Sequence, residues 1–269
     1  MGAGIAHAFL LAGCEVVVVE RDAQTADAAA ERIRQGIARS IERGVTIRDA
    51  AALHRALHVG DDIAAFEGCD LVTEAVPENR VLKAAALARI EAAARGAVLA
   101  SNTSSISITD LAAALTAPGR FLGLHFFNPV PTSSIVEIVA GTATDPAIVE
   151  RAREWVTTID KTPIVVRDSP GFASSRLGVA LALEAIRMLD SGVASAEDID
   201  RAMELGYRHP MGPLRTTDIV GLDVRLDIAE ELHATLGDRF APPALLRQLV
   251  AEGKLGRKSG EGFYKWETP

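Results

Sequence analysis

Three short strings carry groups able to do chemistry: SNTSS at 101–105, HFFNP at 125–129 and IVEIV at 135–139. Oxidising a secondary alcohol needs a base that takes the hydroxyl proton while hydride departs. An imidazole titrates near neutrality, so His125 is a candidate general acid–base. Such a base works best where a carboxylate fixes its tautomer and steadies the imidazolium. Glu137, an acid in the apolar setting VEIV, is the candidate partner. Alone, a histidine at a strand end is more commonly a structural hydrogen-bonder and a glutamate a surface acid. His7, His54, His58, His209 and His233 have no matching arrangement.

A second set lies near the start. Residues 2–12 read as a helix stopped by Gly13, and EVVVVE at 15–20 reads as a buried parallel strand. In a dinucleotide-binding βαβ unit, a helix N-terminus faces the pyrophosphate and an acid ending the second strand takes the ribose hydroxyls. Gly2 and Glu20 fill those two places. A carboxylate at Glu20 favours NAD over NADP, although Arg21 beside it could accept a 2′-phosphate. The first strand and first two glycines of the fingerprint are not seen before Gly2. The expectation is that this chain binds NAD poorly and that the natural protein starts roughly ten residues upstream, a strand being about 5–6 residues.

Further elements must position these groups. A helical hairpin is expected over 23–56, strands at the start of 69–78 and at 97–105, 120–129, 136–139 and 164–166, and helices over 82–94, 108–115 and 147–159. Strands alternating with helices predict a parallel sheet covered on both faces. After DSPGF (168–172) only helical patterns follow, at 173–189, 196–205, 222–236 and 245–252. The expected class is α/β: a Rossmann-like sheet domain over 1–168, with its first strand apparently missing, then an all-helical domain over 169–269.

Composition narrows the partners. The 269 residues carry a net charge of −8, which disfavours a nucleic-acid binder. Two cysteines, Cys14 and Cys69, form neither a CxxC pair nor a zinc pattern, so no metal site is expected and a reduced, cytoplasmic setting fits. The apolar start has no basic residue before Arg21 and is interrupted by glycines, unlike a signal peptide, and no membrane-spanning stretch is expected.

The strings VPENRVLKA, ASNTSSISIT, GLHFFNPVP, DSPGF, HPMGP, DIVGLD and KSGEGFYKW stand in the order found in short-chain L-3-hydroxyacyl-CoA dehydrogenases, including 3-hydroxybutyryl-CoA dehydrogenases. The chain resembles that family along essentially its whole length. The resemblance implies NAD-dependent interconversion of 3-hydroxyacyl-CoA and 3-oxoacyl-CoA by a homodimer formed through the helical domain. It implies His125 as base, Glu137 as its partner, and Ser104 reaching substrate and nicotinamide. Asn128 would contact the nicotinamide end, Glu78 and Lys83 would line the cofactor site, and Lys258 would reach it from the second domain. Ser40 sits where the family contacts CoA, while Ile47 falls near the place of a basic CoA contact. Where the family carries an asparagine thought to polarise the substrate oxygens, this chain has Ser175. A hydroxyl donates one hydrogen bond and reaches less far. Two other readings stay open: a dehydrogenase of a small β-hydroxy acid without CoA, and a non-catalytic ligand-binding dimer.

Overall fold

The computed structural model describes residues 1–46 and 48–267. Their contacts divide into two units, Met1–Asp168 and the residues from Ser169 onward.

In the first unit, α1 (Gly2–Ala12) leads into β1 (Val16–Val19), α2 (Ala23–Glu42), α3 (Ala50–Arg55) and β2 (Leu57–Gly60). Then follow β3 (Leu71–Glu74), α4 (Arg80–Ala93), β4 (Val98–Ser101), α5 (Ile108–Ala112), β5 (Phe121–Phe126), β6 (Ile135–Ala140), α6 (Pro146–Thr158) and β7 (Thr162–Arg167). Side chains set the helix starts: Asp22, Asn79, Ser107 and Asp145 each accept a backbone N–H of the first turn. Helix α1 ends at Gly13, whose φ of 90° is left-handed. A Cβ there would meet the Arg48 guanidinium at 2.5 Å. Arg48 donates to the carbonyls of Leu11 and Ala12, so a cation closes the negative end of α1.

The strands form two sheets, β1-β2 and β3-β4-β5-β6-β7. Pairing is parallel except between β5 and β6. The loop of residues 127–134 is too short for a parallel crossover, so β6 must return antiparallel. Every residue of β4 and β5 is buried, as expected of strands covered on both faces. One core packs Ile5 and Ala8 of α1 and Val149, Ala152 and Val156 of α6 with Leu122, Leu124 and Ile138. A smaller one joins Ala6 and Leu10 to Ile33 and Ile37 of α2 and Leu53 of α3. Strand β2 was not foreseen: LHVG holds a single β-branched residue and follows a helix with only Ala56 between.

The second unit is helical: α7 (Ser174–Asp190), α8 (Ala196–Tyr207), α9 (Pro213–Val220), α10 (Leu222–Leu236) and α11 (Ala244–Ala251). Helix α9 was also unforeseen, since HPMGP reads as a loop, yet Pro213 occupies the first turn, where its missing N–H costs nothing. Two buried acids organise this unit. Asp200 accepts from the Leu214 and Arg215 amides at the start of α9 and from the Tyr264 hydroxyl. Asp218 accepts from the Phe263 and Tyr264 amides and the Trp266 indole. Arg215 lies over the Tyr264 ring at 4.4 Å. Gly256 lets the tail pass, since a Cβ there would stand 2.2 Å from the Asp218 carbonyl oxygen. The motifs HPMGP, DIVGLD and KSGEGFYKW thus meet in one packing arrangement.

His7 of α1 is buried with Nε2 3.0 Å from the Ser40 hydroxyl of α2. Burial lowers its pKa, helped by the Arg39 charge and opposed by a hydrogen bond to the Gly36 backbone. The folded chain therefore holds His7 neutral, and the unfolded chain binds the extra proton below about pH 6.5. Stability should fall as pH drops through that value and on toward the lower folded pKa. Melting curves from about pH 7.5 to about 5.5 should show a larger acid loss for the parent than for His7→Gln. Equal losses would remove His7 from the account.

Candidate active site

The centre of the first unit is a buried cation. Lys83, in the first turns of α4, is 1% exposed. Its Nζ lies 2.7 Å from Glu74 Oε1, 3.0 Å from the Val76 carbonyl oxygen and 3.3 Å from Glu78 Oε2. Glu74, at the end of β3, also accepts from the Val76 amide and, at 2.6 Å, from the Ser101 hydroxyl at the end of β4. Burial of a charge is tolerated here because the ion is paired and its remaining sites are hydrogen-bonded.

Glu78 carries the order outward. Its Oε1 accepts from the Thr103 hydroxyl at 2.6 Å and from the Ser104 and Ser105 amides at 3.0 and 3.2 Å. Burial pushes its pKa up, but the Thr103 hydrogen bond, the Lys83 charge and the Ser104 amide overcome this, leaving it below the usual value. The polar loop carrying Ser104 is therefore wrapped around one ionised oxygen. Asn102, in the same loop, accepts the Phe126 amide through Oδ1 and ties the loop to β5.

His125 and Glu137 face each other directly across the β5–β6 pair. Both are buried, and His125 Nδ1 lies 2.7 Å from Glu137 Oε2. A carboxylate only accepts, so Nδ1 donates. The Phe127 ring is 4.5 Å from the imidazole centre. Asn128 is exposed just beyond the end of β5.

The other expected site residues lie elsewhere. Ser40 is buried, its hydroxyl on His7, where the sequence suggested a CoA contact. Ile47 lies outside the described residues. In the second unit, Ser175 is half-buried in the first turn of α7. Arg176 after it donates to the Pro170 carbonyl and the Ser169 hydroxyl. Lys258 pairs with Asp223 at 2.6 Å. Burial raises the Asp223 pKa, but the Lys258 hydrogen bond and charge together with backbone amides bring it below its usual value. Sequence reasoning missed Glu74, Ser101, Thr103 and Asp223. Glu74 alone left a trace, as an acid inside the strand CDLVTEAV.

The fit of a dinucleotide can be judged from the residues near Gly2. Helix α1 has no side-chain cap and no acid in its first turn, so its leading amides can serve a phosphate. Glu20 follows β1 with its backbone N–H on Gly60, and none of the described residues hydrogen-bonds its carboxylate. That carboxylate suits a pair of ribose hydroxyls. NAD fits these groups.

A Rossmann-like unit with a buried histidine–glutamate pair at its strand ends, followed by a helical unit, defines a nucleotide-linked dehydrogenase. Residues 1–169 match the 3-hydroxyacyl-CoA dehydrogenase NAD binding domain, and residues 171–266 match the C-terminal domain of the same enzymes. The chain belongs to the 3-hydroxyacyl-CoA dehydrogenase family. It is 40% identical to a probable 3-hydroxybutyryl-CoA dehydrogenase of Deinococcus radiodurans, over 99% of this chain and 96% of that protein. The crystal structure of Mycobacterium tuberculosis FadB2 matches with a TM-score of 0.94 at 40% identity, over 99% and 95% of the two chains. That of (S)-3-hydroxybutyryl-CoA dehydrogenase from Ralstonia eutropha matches with a TM-score of 0.94 at 37% identity, with the same coverage.

Replacing Lys83 by Met should strand Glu74 as an uncompensated buried charge and cost roughly 3–5 kcal/mol in denaturant unfolding. Adding Glu74→Gln to that variant should return part of the loss. A single variant as stable as the parent would show that the pair contributes little.

Proposed function

We propose that this chain interconverts 3-hydroxyacyl-CoA and 3-oxoacyl-CoA thioesters with NAD, on short acyl chains of the 3-hydroxybutyryl type. The observation that carries the reading is the buried 2.7 Å contact between His125 and Glu137. With Nδ1 committed to Glu137, proton transfer falls to Nε2 of His125. Oxidation places the hydroxyl proton on that nitrogen, and the Glu137 carboxylate stabilises the resulting imidazolium. NAD, when bound, supplies the hydride acceptor. Ser104 is held by Glu78 to orient the reacting oxygen, and Asn128 binds the nicotinamide end. Gly2, Glu20 and Glu78, with Lys83 behind Glu78, form the cofactor-binding set in the first unit. From the second unit, Lys258 contributes to cofactor binding and Ser175 donates to a substrate oxygen. Ser40 contributes to the CoA site by fixing α2 against α1.

The protein acts as a cytoplasmic homodimer in this reading. Its two free cysteines suit a reducing compartment, and Leu177, Leu205 and Tyr207 of the helical unit are at least 70% exposed, as a covered face requires. No helix among the described residues is long and apolar enough to cross a membrane.

Comparing 3-hydroxybutyryl-CoA with free 3-hydroxybutyrate tests the substrate class, and turnover of the free acid alone would refute it. His125→Gln should keep NADH affinity, read by fluorescence titration, yet lower turnover at least about a hundredfold. A folded variant with near-parent turnover would exclude His125 as the base. Glu137→Gln should also slow turnover, since the imidazolium loses its charge partner.

Cofactor choice gives a separate test. A 2′-phosphate would meet the Glu20 carboxylate, so kcat/KM should be higher with NADH than with NADPH, and Glu20→Ala should narrow the difference. Equal efficiency in the parent would point to Arg21 as the compensating group.

A further inference from the structure

Between α6 and β7, Lys161 reaches away from its own turn to the loop of residues 127–134. Its Nζ donates to the Val130 carbonyl oxygen at 2.7 Å and to the carbonyl oxygen of Ser133. No carboxylate among the described residues lies within ion-pair reach of this ammonium. Burial pulls its pKa down, opposed only by the Asp160 charge. The half-buried charge is thus directed at two carbonyls, and a hydrogen bond from an ammonium is stronger than one from a neutral donor. Asp160, just before it, has a φ of 57°, a left-handed residue that turns the chain out of α6.

The loop has no other donor for those two carbonyls. The Thr132 and Ser133 amides donate to the Pro129 carbonyl at 3.2 and 3.1 Å and close a turn, but no described backbone amide reaches the carbonyl of Val130 or of Ser133. Val130 is 2% exposed, and Gly4 of α1 makes room for it: a Cβ at Gly4 would stand 3.0 Å from the Val130 Cβ. That packing fixes where the Val130 side chain lies, but not how the backbone on either side of it is turned. The Lys161 ammonium supplies this second constraint, at two points of the loop. Asn128, exposed two residues before Val130, takes its direction from the same backbone.

We propose that Lys161 is a positioning residue for the cofactor, holding the loop of residues 127–134 in the conformation in which Asn128 meets the nicotinamide end. This rests on the reading of Asn128 given above and adds to it the group that orders its loop beforehand. A loop already ordered loses less freedom when the ligand arrives, so affinity is higher. It also keeps the nicotinamide in reacting geometry, where a misplacement of about 1 Å can lower the rate about a hundredfold.

The test titrates two ligands by calorimetry: NADH, and ADP-ribose, which lacks the nicotinamide. Lys161→Met keeps the apolar stem and removes both hydrogen bonds. It should weaken NADH binding at least about tenfold while leaving ADP-ribose within about twofold of the parent. In Lys161→Ala, added propylammonium should restore part of the NADH affinity, and tetramethylammonium, which has no N–H, should not do so at equal ionic strength. If Lys161→Met does not fold, Lys161→Gln, a shorter and neutral donor, should show the same NADH-selective loss at smaller size. Equal weakening of both ligands means a merely structural role and overturns the proposal, as does an unchanged NADH affinity. Asn128→Ala, run alongside, separates the two readings. If it alone weakens NADH selectively, Lys161 is excluded and the role of Asn128 stands; if neither variant does, both fail. A parent that binds no NADH overturns the dehydrogenase reading as well.

Discussion

An ammonium group that is 1% exposed cannot stay charged without partners, and Lys83 dictates much of the geometry around it. It needs carboxylates on two sides, and they come from the end of β3 and from the turn that follows. Those carboxylates then need donors of their own. Glu74 takes the Ser101 hydroxyl, which aligns the ends of β3 and β4, and Glu78 takes two amides and a hydroxyl from the loop after β4. The position of Ser104 is thus the outer term of a charge balance that begins in the interior. Apolar packing would bring these strands together, but it would not choose the conformation of a serine-rich loop.

The histidine–glutamate pair has a different origin. His125 and Glu137 are direct partners in an antiparallel register, so their meeting follows from which residue of β6 lies opposite which residue of β5. A slip of one residue would turn Glu137 to the other face of the sheet and put Ile138 or Val136 beside the imidazole. Both faces of β6 are buried, so the acid is held opposite the histidine by the pairing itself, which runs from Gly123–Val139 to Phe126–Val136.

These two cases explain what could be read in advance. Strands β1, β4, β5 and β6 are strongly apolar and sit between helical spacings, so the alternation that defines a Rossmann-like sheet was visible. The single antiparallel pair was not, because strand direction leaves no mark in composition. Strand β2 and helix α9 escaped for lack of β-branched residues in one and an excess of prolines around the other. Among site residues, His125 and Glu137 were recognisable by chemical type and spacing. Glu74, Ser101 and Thr103 were not, since each is ordinary alone and becomes significant through a partner 9 to 27 residues away. Ser40, which the resemblance put at a CoA contact, gave no sign in the sequence of its hydrogen bond to His7 of a neighbouring helix.

The tail of the helical unit bears on the timing of synthesis. Asp218 is fully buried, and its carboxylate accepts from the amides of Phe263 and Tyr264 and the indole of Trp266. While the chain is growing, helix α9 emerges from the ribosome more than forty residues ahead of those groups, with separations of 45 to 48 positions. During that interval the carboxylate must keep its water, so α9 cannot settle into its final packing. The buried acids Glu74 and Glu137 and the half-buried Glu78 find partners within the first unit, so it can fold as it is made, domain by domain. The second closes around its acids only when the last aromatic residues arrive, which makes its completion a late, nearly all-or-none event on the way to the finished enzyme.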